Sequence, residues 1–478
     1  MAHVGQGSGS RHGEASLARV VRLGLANTTQ RGPALRAVVR LLCVALVLGL
    51  GGCAPFWGAE PTPTTAATAT PTSDGTTLAE PTATPTMAPT ATPHTDASQP
   101  FTLTIWAPPD VAATADEAEG LLAQARQRVA ASWPKASIEV LPKAADGPGG
   151  IASLLAAMQP VLPAHLPDAV LVDAAEIRGL VERGLAVPLD GLVSESLWED
   201  LYPYAQQAVT VDGVRYGLPQ DADLTAMYYN SAMVAEPPSD WASLLETSGG
   251  YLFPAAAGDD TAYRLFLGHY ATLGGAWRSE DGQPMLDATV AARVLRGYRE
   301  LVEVGAIPEG GLSLDSADAC WAVYLTGESA VSSARSYQYL RDRGRVRLTR
   351  YAPQASFGGP APAVANVRAW VILTRDATRQ EVVGQFISQS LLPARAATWL
   401  AGSHYLPTAR SPLPLLIEDE NELAFWEGQL ASAVPAPSAD VRERIQGLVE
   451  QALMDVLDGS ASPEQAAVTA SLAVESAP

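Results

Sequence analysis

The chain has 478 residues, 47% of them hydrophobic, which is enough apolar material for two medium globular lobes and excludes a disordered protein. Acidic side chains outnumber basic ones by 51 to 31, a formal charge of -20, so the molecule's field repels phosphate backbones and nucleic acid is excluded as an expected partner. The three cysteines, Cys43, Cys53 and Cys320, form no CxxC pair, and none of the six histidines has the short spacing of metal ligands, so no cofactor and no metal is expected.

In chain order, the glycines of GQGSGS follow no strand and read as a tail, not a phosphate loop. Arg31, Arg36 and Arg40 then lead into the apolar run LLCVALVLGL, Leu41 to Leu50, too short to span a bilayer and ordered like a signal peptide. The tetrapeptide Leu50-Gly51-Gly52-Cys53 resembles the bacterial lipobox. That resemblance implies that residues 1–52 are a lipoprotein signal peptide and that Cys53 is lipidated as the first mature residue. The basic flank is long for such a signal, which fits a start codon downstream of Met1.

Residues 53–100 follow as a linker, and from Glu60 they are dominated by proline and threonine. Such a stretch buries no core and favours extended polyproline II, reaching on the order of 100 Å at about 3 Å per residue. At Phe101 the texture changes: FTLTIW alternates as a strand does. A helix is predicted from about Asp116 to Ser132, a strand over Ser137–Pro142, a helix over Ile151–Gln159 and a buried strand over Asp168–Asp173. Strands alternating with helices predict an α/β body over residues 101–478 with a largely parallel sheet.

The segment from His165 to Val193, with Pro167-Asp168, Gly184-Leu185 and Pro188-Leu189-Asp190, resembles part of the bacterial extracellular solute-binding protein family 1. So do Asp212 to Pro219 (DGVRYGLP), Tyr228-Tyr229-Asn230, Pro238 to Trp241, Gly327 to Ala330, the turn Gly402 to Pro407 and the helical C-terminus from Ala452 to Val468. These motifs stand in family order from about Phe101 to the end. The resemblance implies a two-lobed periplasmic-binding-protein-like fold of type II, with a hinge and a ligand cleft between the lobes. It further implies an extracytoplasmic, lipid-anchored binding protein of an ABC importer, monomeric, that delivers a carbohydrate or related small solute to permease subunits. One departure stands out: Asn366 to Trp370 replaces a glycine-rich run, so the cleft lip is expected to differ.

Sugars present apolar faces and hydroxyl rings, so aromatic platforms beside hydrogen-bonding side chains are the chemistry to look for. Trp106, Trp277, Trp321, Tyr337 and Trp370 fall near predicted strand or loop ends, with Trp106 and Trp277 foremost, whereas Trp198 and Trp241 read as packing residues. Asp221 and Asp223, two apart on an extended segment, share one face and suit sugar hydroxyls; a solvated acidic loop is the alternative. Tyr228 is placed at an interlobe crossing, and Arg335 and Ser336 follow the GESA motif as further candidates. Cys320 reads as a small buried hydrophobe.

Two other classes remain open at this stage. A surface glycoside-active enzyme would need paired carboxylates across a sugar, and no GxSxG or HExxH signature is present. A binding protein for a polyol, a glycerol phosphate or a polyamine would carry the same fold.

Overall fold

The computed structural model describes residues 94–116, 120–256 and 258–476. The signal peptide, Cys53 and nearly all of the linker lie outside the described residues.

Seven strands form the backbone of one mixed sheet. They are β1 (Phe101–Ala107), β2 (Ala136–Pro142), β3 (Ala169–Asp173), β4 (Gly217–Asn230), β5 (Tyr251–Leu252), β6 (Val331–Arg335) and β7 (Val364–Ile372). Their order is β2-β1-β3-β7-β4-β6-β5. The β2, β1 and β3 strands run parallel, β7 is antiparallel to both β3 and β4, and β4 is antiparallel to β6. The parallel set is joined by helices, as the alternation in the sequence requires.

The length of β4 makes the molecule two-lobed. Its first half, Gly217 to Leu224, pairs with β7, whereas Thr225 to Tyr229 pairs with β6 and Met227 to Asn230 pairs with Thr349–Ala352. One strand therefore belongs to two lobes. The chain returns to the first lobe along β7 and crosses again at Val434–Pro435, which lies parallel to Val364 and Ala365. Three extended segments side by side make the hinge.

Two cores fill the molecule, and the first also takes in Trp321, Tyr324, Tyr339 and Leu340 from the elements around β6. One cluster joins β1, β3 and β7 to the helices Leu121–Ser132 and Ala377–Ser390. The other lies among the helices Thr261–Thr272, Ala288–Glu303, Ala439–Asp458 and Pro463–Ser476. Helix starts follow from local chemistry: Asp287, Asp376 and Asp419 each accept backbone N–H groups of the first turn. The Asp212-Gly213 pair sits at φ 50° and 82°, the left-handed pair that a tight hairpin between Thr210–Val211 and Val214–Arg215 needs.

Several expected elements shift. The helix predicted from Asp116 starts at Leu121, after a short helix Pro109–Ala112 and a single tight turn; the latter two are pinned by Pro109 at a helix start. Trp321, expected at a strand or loop end, lies inside the helix Ala317–Thr326, because the left-handed cap at Gly327 (φ 84°) ends that helix one turn later. Among the described residues no helix is long and apolar enough to cross a membrane.

Candidate functional site

The carboxyl ends of β1 and β3 and the crossing segments face the gap between the lobes, the position where open α/β sheets take ligands. On the hinge itself, Arg368 of β7 donates to both carboxylate oxygens of Asp221 on β4, at 2.8 and 2.9 Å, and to Asp110 in the short helix Pro109–Ala112 after β1 at 2.8 Å. Its guanidinium lies 4.5 Å from the ring centre of Tyr405 and 5.6 Å from that of Trp399. Burial pulls this guanidinium down, and the charges of Asp221 and Asp110 more than restore it, leaving it above the ordinary arginine range. Asp221 is only 1% exposed and its two oxygens are engaged, so it braces the hinge from inside.

Asp223 is committed differently. Its Oδ1 accepts from the Ser336 hydroxyl at 2.9 Å and from the Tyr337 N–H at 3.2 Å, while Ser336 Oγ accepts from the Leu224 N–H at 3.0 Å. This fixes the start of the helix Ser336–Asp342 against the crossing strand. Its Oδ2 faces Arg264 at 3.6 Å and Arg335 at 3.5 Å, and both arginines also reach Asp260. Burial pushes the Asp260 carboxyl up, yet Arg264, Arg335 and the Asn366 amide together hold it below the usual carboxylate range. Asp221 and Asp223 thus lie two apart on the crossing strand, both buried, in two separate networks, one with Arg368 and the other with Ser336, Arg264 and Arg335.

Two cavities border the hinge. The larger, about 930 Å³, is lined by Asp110, Gln124, Trp399, His404 and Tyr405 of the first lobe and by Tyr337 of the second. The Tyr337 ring stands 5.6 Å from Tyr405 and 6.2 Å from His404, with Arg341 over it at 5.5 Å. Aromatic rings from both lobes therefore line a space of ligand size. The smaller, about 280 Å³, holds Trp277 and Arg278 against Ala174, Val211 and the crossing residues Val434 to Ser438. A groove of about 830 Å³ at the amino ends of β1 and β3, with Asp168, Arg375 and Arg379, is lined by the first lobe alone.

The other aromatic candidates lie in the cores. Trp370 is fully buried, donates its Nε1–H to Gln220 and meets Phe386 edge-on. Trp321 donates to Asp342 and stacks on Tyr324, and Tyr228 stacks on Tyr339 beneath it. Trp106 is buried at the end of β1, with the Lys143 ammonium 5.3 Å from its ring centre. All four rings are buried: Trp106, Tyr228 and Trp370 on strands, whose alternation turns residues toward the packed helices as readily as toward solvent, and Trp321 within its helix. Cys320 is buried, and burial pushes its thiol up to about 12.

Sequence reasoning missed Asp110, Arg264, Arg368, Trp399, Tyr405 and Arg442. The Gly402 to Pro407 motif contained Tyr405, and the unusual Asn366 to Trp370 stretch contained Arg368; both were visible as patterns without a role. Arg442, on the helix Ala439–Asp458 of the second lobe, reaches Asp173 and Glu176 of the first at 2.9 Å each.

A family model described as bacterial extracellular solute-binding protein matches residues 135–414, more than half of the chain. The chain belongs to that family. This solute-binding protein is 33% identical over 88 residues to a maltotriose-binding protein of Pyrococcus abyssi, a stretch covering 18% of this chain and 19% of that protein. It is 21% identical over 316 residues to a putative binding protein of Brucella abortus, covering 62% and 76% of the two chains. Among solved structures, the cyclic alpha-maltosyl-1,6-maltose binding protein of Arthrobacter globiformis superposes with a TM-score of 0.65 at 19% identity, over 78% of this chain and 98% of that one. Maltose-bound MalE3 of T. maritima gives 0.61 at 15%, over 78% and 99%. The fold is that of the two-lobed periplasmic binding proteins, and the family is one of extracellular binding proteins.

Proposed function

We propose that this solute-binding protein is the extracytoplasmic receptor of an ABC importer, tethered by a lipid on Cys53, and that its cargo is a carbohydrate. The observation that carries the reading is the cavity of about 930 Å³ at the hinge, to which the two lobes contribute Trp399 and Tyr405 on one side and Tyr337 on the other. A sugar ring stacked there gains apolar contact from both lobes only when they are together, so binding energy favours the closed state. Asp110 and His404 line the same cavity and supply polar partners for hydroxyls. The family and the maltodextrin-type ligands named for its relatives support the same class.

The lobes swing about the three crossing segments, the Arg368–Asp221 pair holds two of those segments in register, and the shut form is what the permease receives. No turnover is expected: the hinge carboxylates Asp221 and Asp223 lie on one strand, are each engaged by arginine, and do not flank a bond from two sides. The test is a thermal-shift screen of mono- and oligosaccharides, polyols, glycerol phosphate and polyamines, followed by calorimetry and product analysis. A stabilising saccharide recovered unchanged is the expected result. Release of shorter sugars would make the protein an enzyme, and a response to non-sugars alone would move the cargo to another class.

A further inference from the structure

Two consecutive residues in the wall of the cavity of about 930 Å³, Ser403 and His404, are each held at a local cost. Among the described residues only Asp212 and His404 combine a side chain with a positive φ, and Asp212 belongs to a hairpin turn. His404, at φ 63°, ends the helix Pro393–Ser403, and its N–H donates to the Leu400 carbonyl at 2.9 Å. Glycine takes this left-handed cap freely, whereas a Cβ is crowded there. Beside it, the Ser403 hydroxyl is shielded from solvent and has no hydrogen-bond partner, which also costs free energy. Costs of this kind concentrate where a site has a use for them.

Glycine at position 404 would end the helix equally well, so what the strain retains is the imidazole. That ring stands 6.2 Å from the Tyr337 ring, centre to centre and steeply inclined to it at 65°, so the two face each other from opposite lobes across the cavity. Its two nitrogens bond to no other described residue. Burial first, and then the Arg341 and Arg343 guanidiniums, hold the imidazole below its ordinary range against the opposing pull of Asp342. The neutral ring offers one N–H donor and one acceptor, the complement of a sugar hydroxyl.

We propose that His404 is the specificity-determining residue of this cavity: it reads one hydroxyl of the bound saccharide, and the strained corner fixes it opposite the Tyr337 platform. The inference rests on the interlobe saccharide reading given above and adds the group that selects among sugars. An aromatic platform accepts the apolar face of many pyranoses, so stacking on Tyr337 discriminates little. A donor and acceptor held in one place are satisfied by one hydroxyl orientation and left unpaired by others, so the linkage and stereochemistry of the sugar are sensed at His404.

Calorimetry of the full-length protein in detergent with maltotriose and cellotriose, the α- and β-linked trimers of one sugar, tests this alongside urea unfolding. The parent is expected to prefer one trimer. His404→Gly removes the ring and relieves the backbone, so the better-bound trimer is expected to lose about tenfold in affinity and the other about twofold at most, with the unfolding midpoint unchanged or raised. His404→Asn tolerates the same φ and keeps a donor and an acceptor; it is expected to recover part of the preference, and it is the second variant should the first fail to fold. A parent without preference, equal losses for both trimers, or unchanged affinities overturn the selective role and leave the carbohydrate reading standing. A lowered midpoint with unchanged affinities does the same and makes His404 a helix cap alone. Binding of neither trimer by the parent also overturns it, and the wider saccharide screen above then decides the carbohydrate reading separately.

Discussion

Arg368 and Asp221 face each other on neighbouring strands at the hinge and share two hydrogen bonds of 2.8 and 2.9 Å. The same guanidinium reaches Asp110 and lies beside Tyr405 and Trp399, so one side chain ties two crossing strands to the wall of the cavity. A hinge braced this way keeps its strands in register while the lobes swing, since the bend must then fall beyond the pair, near Leu224 and Thr225 where β4 changes partners.

Breaking that pair should be costly. Arg368→Met leaves Asp221 buried and without its cation, for which about 3–5 kcal/mol of stability is expected to be lost in urea unfolding. The double variant Asp221→Leu, Arg368→Met removes both charges and should recover most of that loss. Equal losses in the single and double variants would show that the pair is not coupled.

Tyr337 and Trp370 were both singled out as platforms, and their environments give them opposite expectations. Tyr337→Ala, half-buried at the cavity, should reduce saccharide affinity about tenfold to a hundredfold with little change in unfolding midpoint. Trp370→Ala opens a core cavity and should cost about 3–5 kcal/mol of stability. Reversed outcomes, with Trp370→Ala affecting affinity alone, would put the ligand elsewhere.

Part of the fold was legible because periodicity is local, as in β1, whereas the Asp212-Gly213 hairpin and the C-terminal helices were reached through the family resemblance. The site was less so. Which face of β7 bears Arg368 is read from alternation, but that this face meets Asp221 depends on pairing between strands 147 residues apart. Trp370, two residues further along, shares a face with Arg368 yet ends in the core, since the extra residue at the register shift, Gln220, lies in β4 and leaves the alternation of β7 unbroken. Arg442 was invisible for the same reason, its partners Asp173 and Glu176 being 269 and 266 residues away.

The Arg442 bridge spans the lobes, and its partners are partly exposed, so each pair is worth about 0.2–1 kcal/mol and is weakened by salt. Arg442→Ala should therefore shift the unliganded protein toward the open form by roughly twofold to tenfold. Small-angle scattering should record a larger radius of gyration for the variant, and 1 M salt should enlarge the parent toward it. An unchanged radius in both comparisons would mean that the bridge does not hold the lobes.

Cys53 carries the proposed anchor. Cys53→Ser should move the protein from the membrane fraction to a soluble or unprocessed form, followed by fractionation and mass of the N-terminus. Normal processing with full membrane retention would refute the lipid tether and leave the binding fold untouched.

His269 gives the fold a predictable acid sensitivity. Its ring is fully buried among Trp241, Tyr298 and Phe357, with Nδ1 2.8 Å from the Ser356 hydroxyl and Nε2 without a partner. The one other titratable neighbour in that ring set, the Tyr298 phenol, is held neutral by the same burial. Burial drags the imidazole down from 6.5 to about 3. Between those values the unfolded chain binds a proton that the folded chain refuses, so the contribution is complete above pH 6.5 and is lost as the pH falls toward 3. At pH 5 the deficit from this one group amounts to about 2 kcal/mol. His269→Gln has no such titration, and its amide keeps a hydrogen-bonding group beside Ser356. Whatever constant cost the substitution brings, the drop in unfolding free energy from pH 7 to pH 5 should be smaller in the variant by about 2 kcal/mol. Urea titrations of both proteins at the two pH values read this difference directly, and parallel losses in the two would mean that His269 is already charged, or already reached by solvent, in the folded state.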